Sequence, residues 1–314
     1  MNKFTLAAVA GISILILGCN SKNTGDKYTD TPTMGKVSIA VDETFQPIIE
    51  AELPVFHAIY RYATILPKYL PEVDVFNLLL HDSVRLAIVS RPLNQKEMNY
   101  FHSRKFFPKQ IPVAVDGIAV LVNPSNPDTL FSIKQLRKIM LGEITDWKQI
   151  NPHSKQGEIK VVFDNPNSST VRFVVDSITK TQKLGKQLSA MQYNIDVVDF
   201  ISKTPNAIGV MGISWISDSR DPKSLSFLKK VRVAGISTSD PPTIENCYQP
   251  FQAYIATGKY PLTRFVYMIL TEPRAGLGTG FTSFVASDKG QRIILKTGIL
   301  PYVDPVRIVN IKKE

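Results

Sequence analysis

Asn167, Ser168, Ser169 and Thr170 put one amide and three hydroxyls in a row, after a β-branched run and before the apolar-rich segment 171–175. At a helix start the first backbone N–H groups lack partners and the dipole is positive, so added hydroxyls make a cradle for an anion. The same residue types also serve as plain N-caps, and both readings stand at this point. Asp164 lies four residues before Ser168. A carboxylate repels an anion, so at such a site it must be neutralised by an arginine or must accept a proton from the ligand. Its other reading is a turn cap.

Other chemistries find no support. The four histidines, His57, His81, His102 and His153, form no H-E-x-x-H pair and no cluster with cysteine, so no metal site is expected. There is no G-x-S-x-G elbow. The glycines of 276–280 miss dinucleotide spacing, because Phe281 stands where a later glycine is needed, and the stretch reads as a flexible loop before a helix starting near Phe281. No cofactor and no enzyme activity are expected. Basic residues give a net charge of +10 but form no long run and no recognisable module, so nucleic acid is not an expected partner. The excess fits an anionic ligand or an anionic surface.

Several elements must position the hydroxyls. Short β-branched runs at 37–41, 86–89, 118–122 and 159–163 alternate with helical patterns beginning near Pro47, Asn94 and Ser169. Strand–helix alternation predicts α/β units with mainly parallel sheets and helices on both faces. Asp42, Glu43 and Thr44 read as a turn and helix cap after the first strand.

The N-terminus carries a separate message. Lys3 precedes an apolar run from Phe4 to Leu17 that ends in Gly18-Cys19. The run is too short to span a bilayer and has the layout of a signal peptide. The Gly18-Cys19 junction resembles a lipobox, which implies a signal peptide over 1–18 and a lipid on Cys19. Residues 19–35 are polar and read as a flexible tether, with folded sequence from Lys36. Cys247 then has no disulfide partner and reads as a small core residue.

One long segment, IKQLRKIMLGEITDW over 133–147, resembles the QL..I..G.I..W stretch of phosphate-type periplasmic solute-binding proteins. SRPL at 90–93, GIAVLVNP at 117–124, AIGV at 207–210, YPLTR at 260–264, and Gly290-Gln291 through Gly298 to Pro301 agree in order. The resemblance spans roughly 36–301. It implies a type II two-lobe fold, with lobe I over 36–114 plus 260–314 and lobe II over 115–259, closing by a hinge on a ligand between the lobes. It also implies no catalysis, a small anionic ligand of the phosphate class, and an ABC permease that takes the ligand. The place of such a protein is the bacterial cell envelope, anchored by lipid and facing the periplasm or the cell exterior.

Carried over residue by residue, the resemblance nominates Thr44, Phe45, Arg91, Asp164, Ser168, Ser169 and Thr170 as ligand-binding. The match is imperfect. Asp42-Glu43 stand where a Ser-Thr turn is usual, Pro71-Glu72-Val73-Asp74 replace a Gly/Ser-rich turn, and Asp164 replaces an arginine. Arg91 or Arg172 is expected to supply the missing positive charge, and an Arg91–Asp164 pair is one way to latch the lobes. The five acidic residues in these loops carry the alternative: a divergent binding or sensory surface lipoprotein with a non-phosphate ligand or a protein partner.

Overall fold

The structure, a computed structural model, describes residues 30–181 and 183–304. The expected signal peptide and the expected lipidation at Cys19 lie outside the described residues.

The first lobe is built on β1 (Met34–Asp42), which pairs in parallel with β2 (Tyr62–Leu70) and β3 (Leu86–Val89). Ile39, Ala40 and Val41 have no solvent exposure, as do Leu86 to Val89, because helices cover both sheet faces. These are α1 (Gln46–Ile59), α2 (Glu72–Leu80) and α3 (Gln95–Ser103). Asn94 caps α3 in a reciprocal box with Glu97. Pro47 occupies the first turn of α1, where its missing N–H costs nothing.

β4 (Lys109–Val122) then runs out of the first lobe into the second. The second lobe also holds a small sheet of β5 (Leu130–Ser132), capped into α4 (Ile133–Leu141) by a Ser132–Gln135 box. β6 (Lys160–Phe163) leads to α5 (Ser169–Phe173), and β7 (Leu188–Ala190) leads to α6 (Asn194–Lys203). β8 (Ala207–Gly212), α7 (Pro222–Lys230), β9 (Arg232–Val233), β10 (Gly235–Ser237) and α8 (Gln252–Ala256) complete it. β11 (Thr263–Leu270) returns to the first lobe, followed by α9 (Leu277–Ala286), α10 (Asp288–Lys296) and β12 (Leu300–Pro301).

The main path is β2-β1-β3-β11-β4-β8-β6-β7. Strands that alternate with helices pair in parallel, whereas β4 and β11 run antiparallel to their neighbours. The sheet is therefore mixed rather than mainly parallel, and the physical reason is that two crossing strands are shared by the lobes. The second face of the first lobe is closed by aromatic packing of Phe56 on Phe281 and Phe284, at ring distances of 5.2 and 5.4 Å.

Two sequence expectations are corrected here. Folded structure begins before Lys36: β1 starts at Met34, and the Asp30 carboxylate accepts the Leu277 N–H at the start of α9. The glycine run is not a loop before a helix at Phe281, because α9 already starts at Leu277. Glu272 accepts the N–H groups of Gly276, Gly278 and Thr279, replacing the missing cap. A Cβ at Gly280 would lie 1.8 Å from the Pro32 carbonyl oxygen, so that glycine lets the N-terminal segment lie against the helix.

Candidate ligand-binding site

The C-terminal ends of β1, β3 and β6 converge between the lobes. Asp42 ends β1 and caps the 3-10 turn Glu43–Phe45 by accepting the Thr44 N–H at 3.1 Å. Asp164 follows β6. Its Oδ1 accepts the Ser168 hydroxyl at 2.6 Å and its Oδ2 accepts the Thr170 hydroxyl at 3.3 Å. Ser168 also caps α5 through the Val171 N–H, so it performs both roles that its position allowed. The short helix continues as π-helix over Val174–Thr179.

Ser169 is fully buried and faces the other way. Its Oγ accepts from Arg264 Nη1 at 2.8 Å and lies 3.5 Å from Thr44 Oγ1. Arg264 comes from the crossing strand β11, holds Asp116 of β4 through Nε at 2.9 Å, and lies over the Phe45 ring at 5.2 Å. Its Nη2 meets no acceptor. Gly212 lets this cluster close, since a Cβ there would meet Thr44 at 2.3 Å and Arg264 Nη2 at 3.1 Å.

Six of the seven predicted residues thus sit together: Thr44, Phe45, Asp164, Ser168, Ser169 and Thr170. Arg91 does not join them. Glu97 holds its guanidinium through two hydrogen bonds of 2.8 Å each, and it stacks 3.8 Å from the Phe76 ring centroid. The Arg91–Asp164 latch is therefore replaced by other bridges between the lobes. Arg172 of α5 reaches Glu72 of α2 at 2.6 Å and Ser90 at 2.6 Å. Asn194 of α6 donates to Glu43, and Ser214 donates to the Thr44 carbonyl. The positive charge beside Ser169 belongs to Arg264, which was not singled out as a site residue. A usable signal existed: Arg264 alternates with Val266 and Met268 along β11, and this face is buried while Phe265 is exposed.

Between these bridges lies a cavity of about 290 Å³ whose lining includes Asp42, Glu43, Asp74 and Asp164 with Tyr69 and Tyr193. No lysine, arginine or histidine lines it. Burial, with Glu72 nearby, pushes the Asp42 carboxyl up to about 7. Burial pushes Glu43 up to about 7 as well, against the hydrogen bond from Asn194. Asp164 is also raised by burial, offset in part by Ser168 and Arg264. Asp42 Oδ2 meets no donor in hydrogen-bonding geometry although the residue is 1% exposed. Near neutrality Asp42 and Glu43 hold protons part of the time, so the cavity both donates and accepts hydrogen bonds. Glu72 behaves oppositely: burial raises it, but Arg172 and Ser90 outweigh that and hold it below the ordinary range. Among the described residues no group of three or more His, Cys, Asp or Glu side chains is placed to hold a metal ion.

A model of the PBP superfamily domain matches residues 26–289. The chain belongs to the PBP superfamily. Within it, a phosphate-binding protein of Staphylococcus saprophyticus is 24% identical over 286 residues, covering 90% of this chain and 84% of that one. A Clostridium perfringens chain solved with bound phosphate covers 86% of this chain and 100% of its own length, with 20% identity and a TM-score of 0.71. An ABC-type phosphate transport receptor from Vibrio cholerae covers 85% and 100%, with 20% identity and a TM-score of 0.64. The fold is that of type II periplasmic binding proteins, a mixed sheet flanked by helices.

Proposed function

We propose that the chain is an extracytoplasmic solute-binding protein that captures phosphate, or a similar oxyanion, together with its protons and passes it to an ABC permease. The observation that carries the reading is the proton-bearing cleft: Asp42 and Glu43 near 7 and a raised Asp164 beside the Ser168–Thr170 hydroxyls. A carboxyl group that is neutral near pH 7 donates one hydrogen bond to an oxyanion, and an ionised one accepts the proton of a protonated oxyanion. A fully ionised anion such as sulfate offers no proton and meets repulsion. The names of the relatives support phosphate, and the position of the cleft at strand C-termini supports a ligand there. In this reading the described part of lobe I takes 30–114 with 260–304, lobe II takes 115–259, and Cys19 carries the lipid that holds the protein to the envelope. No described helix is long and apolar enough to cross a membrane.

One observation favours a second reading. The cavity lining holds four carboxylates, two tyrosines and no cationic side chain, a set that also suits a small organic cation. Calorimetry of the protein against phosphate, sulfate and a panel of small amines separates the two: heat from phosphate supports the first reading, and heat from an amine alone supports the second.

A further inference from the structure

A second charged face lies at the other end of the first lobe. Arg104, Lys105, Phe107, Lys109 and Arg274 surround a groove of about 480 Å³ on the exposed rim where α3 ends and β4 begins. Phe107 is 75% exposed, with the His102 ring 5.2 Å away on one side. None of the four cations pairs with a carboxylate among the described residues: Arg104 leans on the Tyr100 hydroxyl and ring, and Arg274 donates to the Asp30 carbonyl. The one acid in the groove, Glu272, accepts the Gly278 and Thr279 N–H groups and the Thr279 hydroxyl at the start of α9. An exposed aromatic ringed by four cations against one acid matches an anionic lipid surface, where the ring enters the headgroup layer and the cations meet phosphates.

The course of the chain points to the same surface. The described N-terminus is fixed here, since Asp30 bonds both Arg274 and the start of α9. Cys19 stands eleven residues earlier, a reach on the order of 35–40 Å when extended. Strand register sets the orientation. Lys109 pairs with Leu270, and Leu270 with Leu86, at the β3 end opposite Ser90 and the cleft. A protein seated on this face therefore holds its cleft mouth away from the lipid.

We propose that this face is a membrane-docking surface for anionic lipid, which orients the anchored protein for capture. The proposal rests on the lipid-anchored reading only for what brings the membrane near. The test is Phe107→Trp in the full chain, purified from the membrane fraction and mixed with vesicles of phosphatidylcholine alone or with about one third phosphatidylglycerol. Trp147 and Trp215 are buried, so the new tryptophan reports alone on the surface. The expected result is a blue-shifted emission, quenched by brominated lipid, in the anionic vesicles. Lys105→Glu with Lys109→Glu should weaken binding to those vesicles at least about twenty-five-fold, read as the lipid concentration needed for half-maximal quenching, since each basic residue near an anionic leaflet contributes about fivefold. Both lysines are exposed, so folding is unaffected. Emission that stays solvent-like and unquenched in anionic vesicles overturns the proposal. Flotation with the neutral vesicles reads the lipid anchor separately, so loss of the anchor and loss of docking give different results.

Discussion

Arg264 on the crossing strand donates to Ser169 at the start of α5 at 2.8 Å, so a strand shared by the lobes is tied to the head of that helix. Strand β11 belongs to the first lobe and α5 to the second. Any motion that parts the lobes must break or carry this contact, and the Asp116 carboxylate fixes the arginine from behind at 2.9 Å. The lobe-to-lobe geometry is thus set by buried charge.

Removing one partner of that pair should be costly. Arg264→Met leaves Asp116 buried and unpaired, and the expected loss is about 3–5 kcal/mol of stability. Adding Asp116→Asn should recover a large part of the loss. Thermal unfolding of the two single variants and the double variant reads this directly, and strictly additive effects would refute the pairing.

Arg172 and Glu72 form the second tie across the lobes, at 2.6 Å. Glu72 is held below the ordinary range, so its share of stability is present above its unfolded pKa and is lost as pH falls through the folded value. Arg172→Met, and acidification to below the ordinary carboxylate range, should both favour the open arrangement. Small-angle scattering should then report a larger radius of gyration for the variant, and an unchanged radius would show that the Arg172–Glu72 pair does not hold the lobes together.

Glu52 on α1 is fully buried, and neither carboxylate oxygen has a hydrogen-bond partner. Burial raises it from 4.5 to about 9, so the folded chain holds a proton that the unfolded chain releases above about 4.5. Its effect makes stability fall as pH rises from there to 9, by roughly 3 kcal/mol at pH 7. Glu52→Leu should raise the melting temperature at pH 8 by several degrees and flatten its dependence on pH. A lower melting temperature in the variant would mean that Glu52 has a partner.

Asp164 joins the fold to selectivity. Asparagine at 164 keeps one acceptor oxygen for Ser168 or Thr170 but cannot exchange a proton. Asp164→Asn should cost about 1–2 kcal/mol of stability and shrink the preference for phosphate over sulfate. Competition titration with both anions checks it, and an unchanged ratio would reduce Asp164 to a turn cap.

The strands and caps were legible because their signals are local: β-branched runs at 86–89, Asn94 three residues before Glu97, Ser168 at the head of a short helix. The hydroxyl cluster and its Asp164 neighbour were legible for the same reason. Arg91 misled because its sequence neighbours say nothing of Glu97 folding back from α3 to take both guanidinium edges. Arg264, Asp116 and Asn194 were missed because they reach the site from elements far along the chain, and only their burial within apolar strands or a helix start hints at a role. The early fold boundary failed similarly, since Asp30 is ordered by α9, which lies about 247 residues later.

Protons in the cleft are what the proposed capture of phosphate depends on, and the affinity for phosphate as a function of pH tests that most directly. Binding an oxyanion favours the protonated forms of Asp42 and Glu43, which sit near 7. Affinity should therefore fall as pH rises through 7, by on the order of tenfold for each proton taken up per pH unit. Because phosphate itself titrates, the comparison is with Asp42→Asn combined with Glu43→Gln, which should flatten the profile. Calorimetric titration at pH 6, 7 and 8 gives the answer. Tighter phosphate binding at pH 6, with a flatter profile in the double variant, is the predicted result. No heat from phosphate at millimolar concentration, together with an amine that binds more tightly as pH rises, would contradict the oxyanion reading.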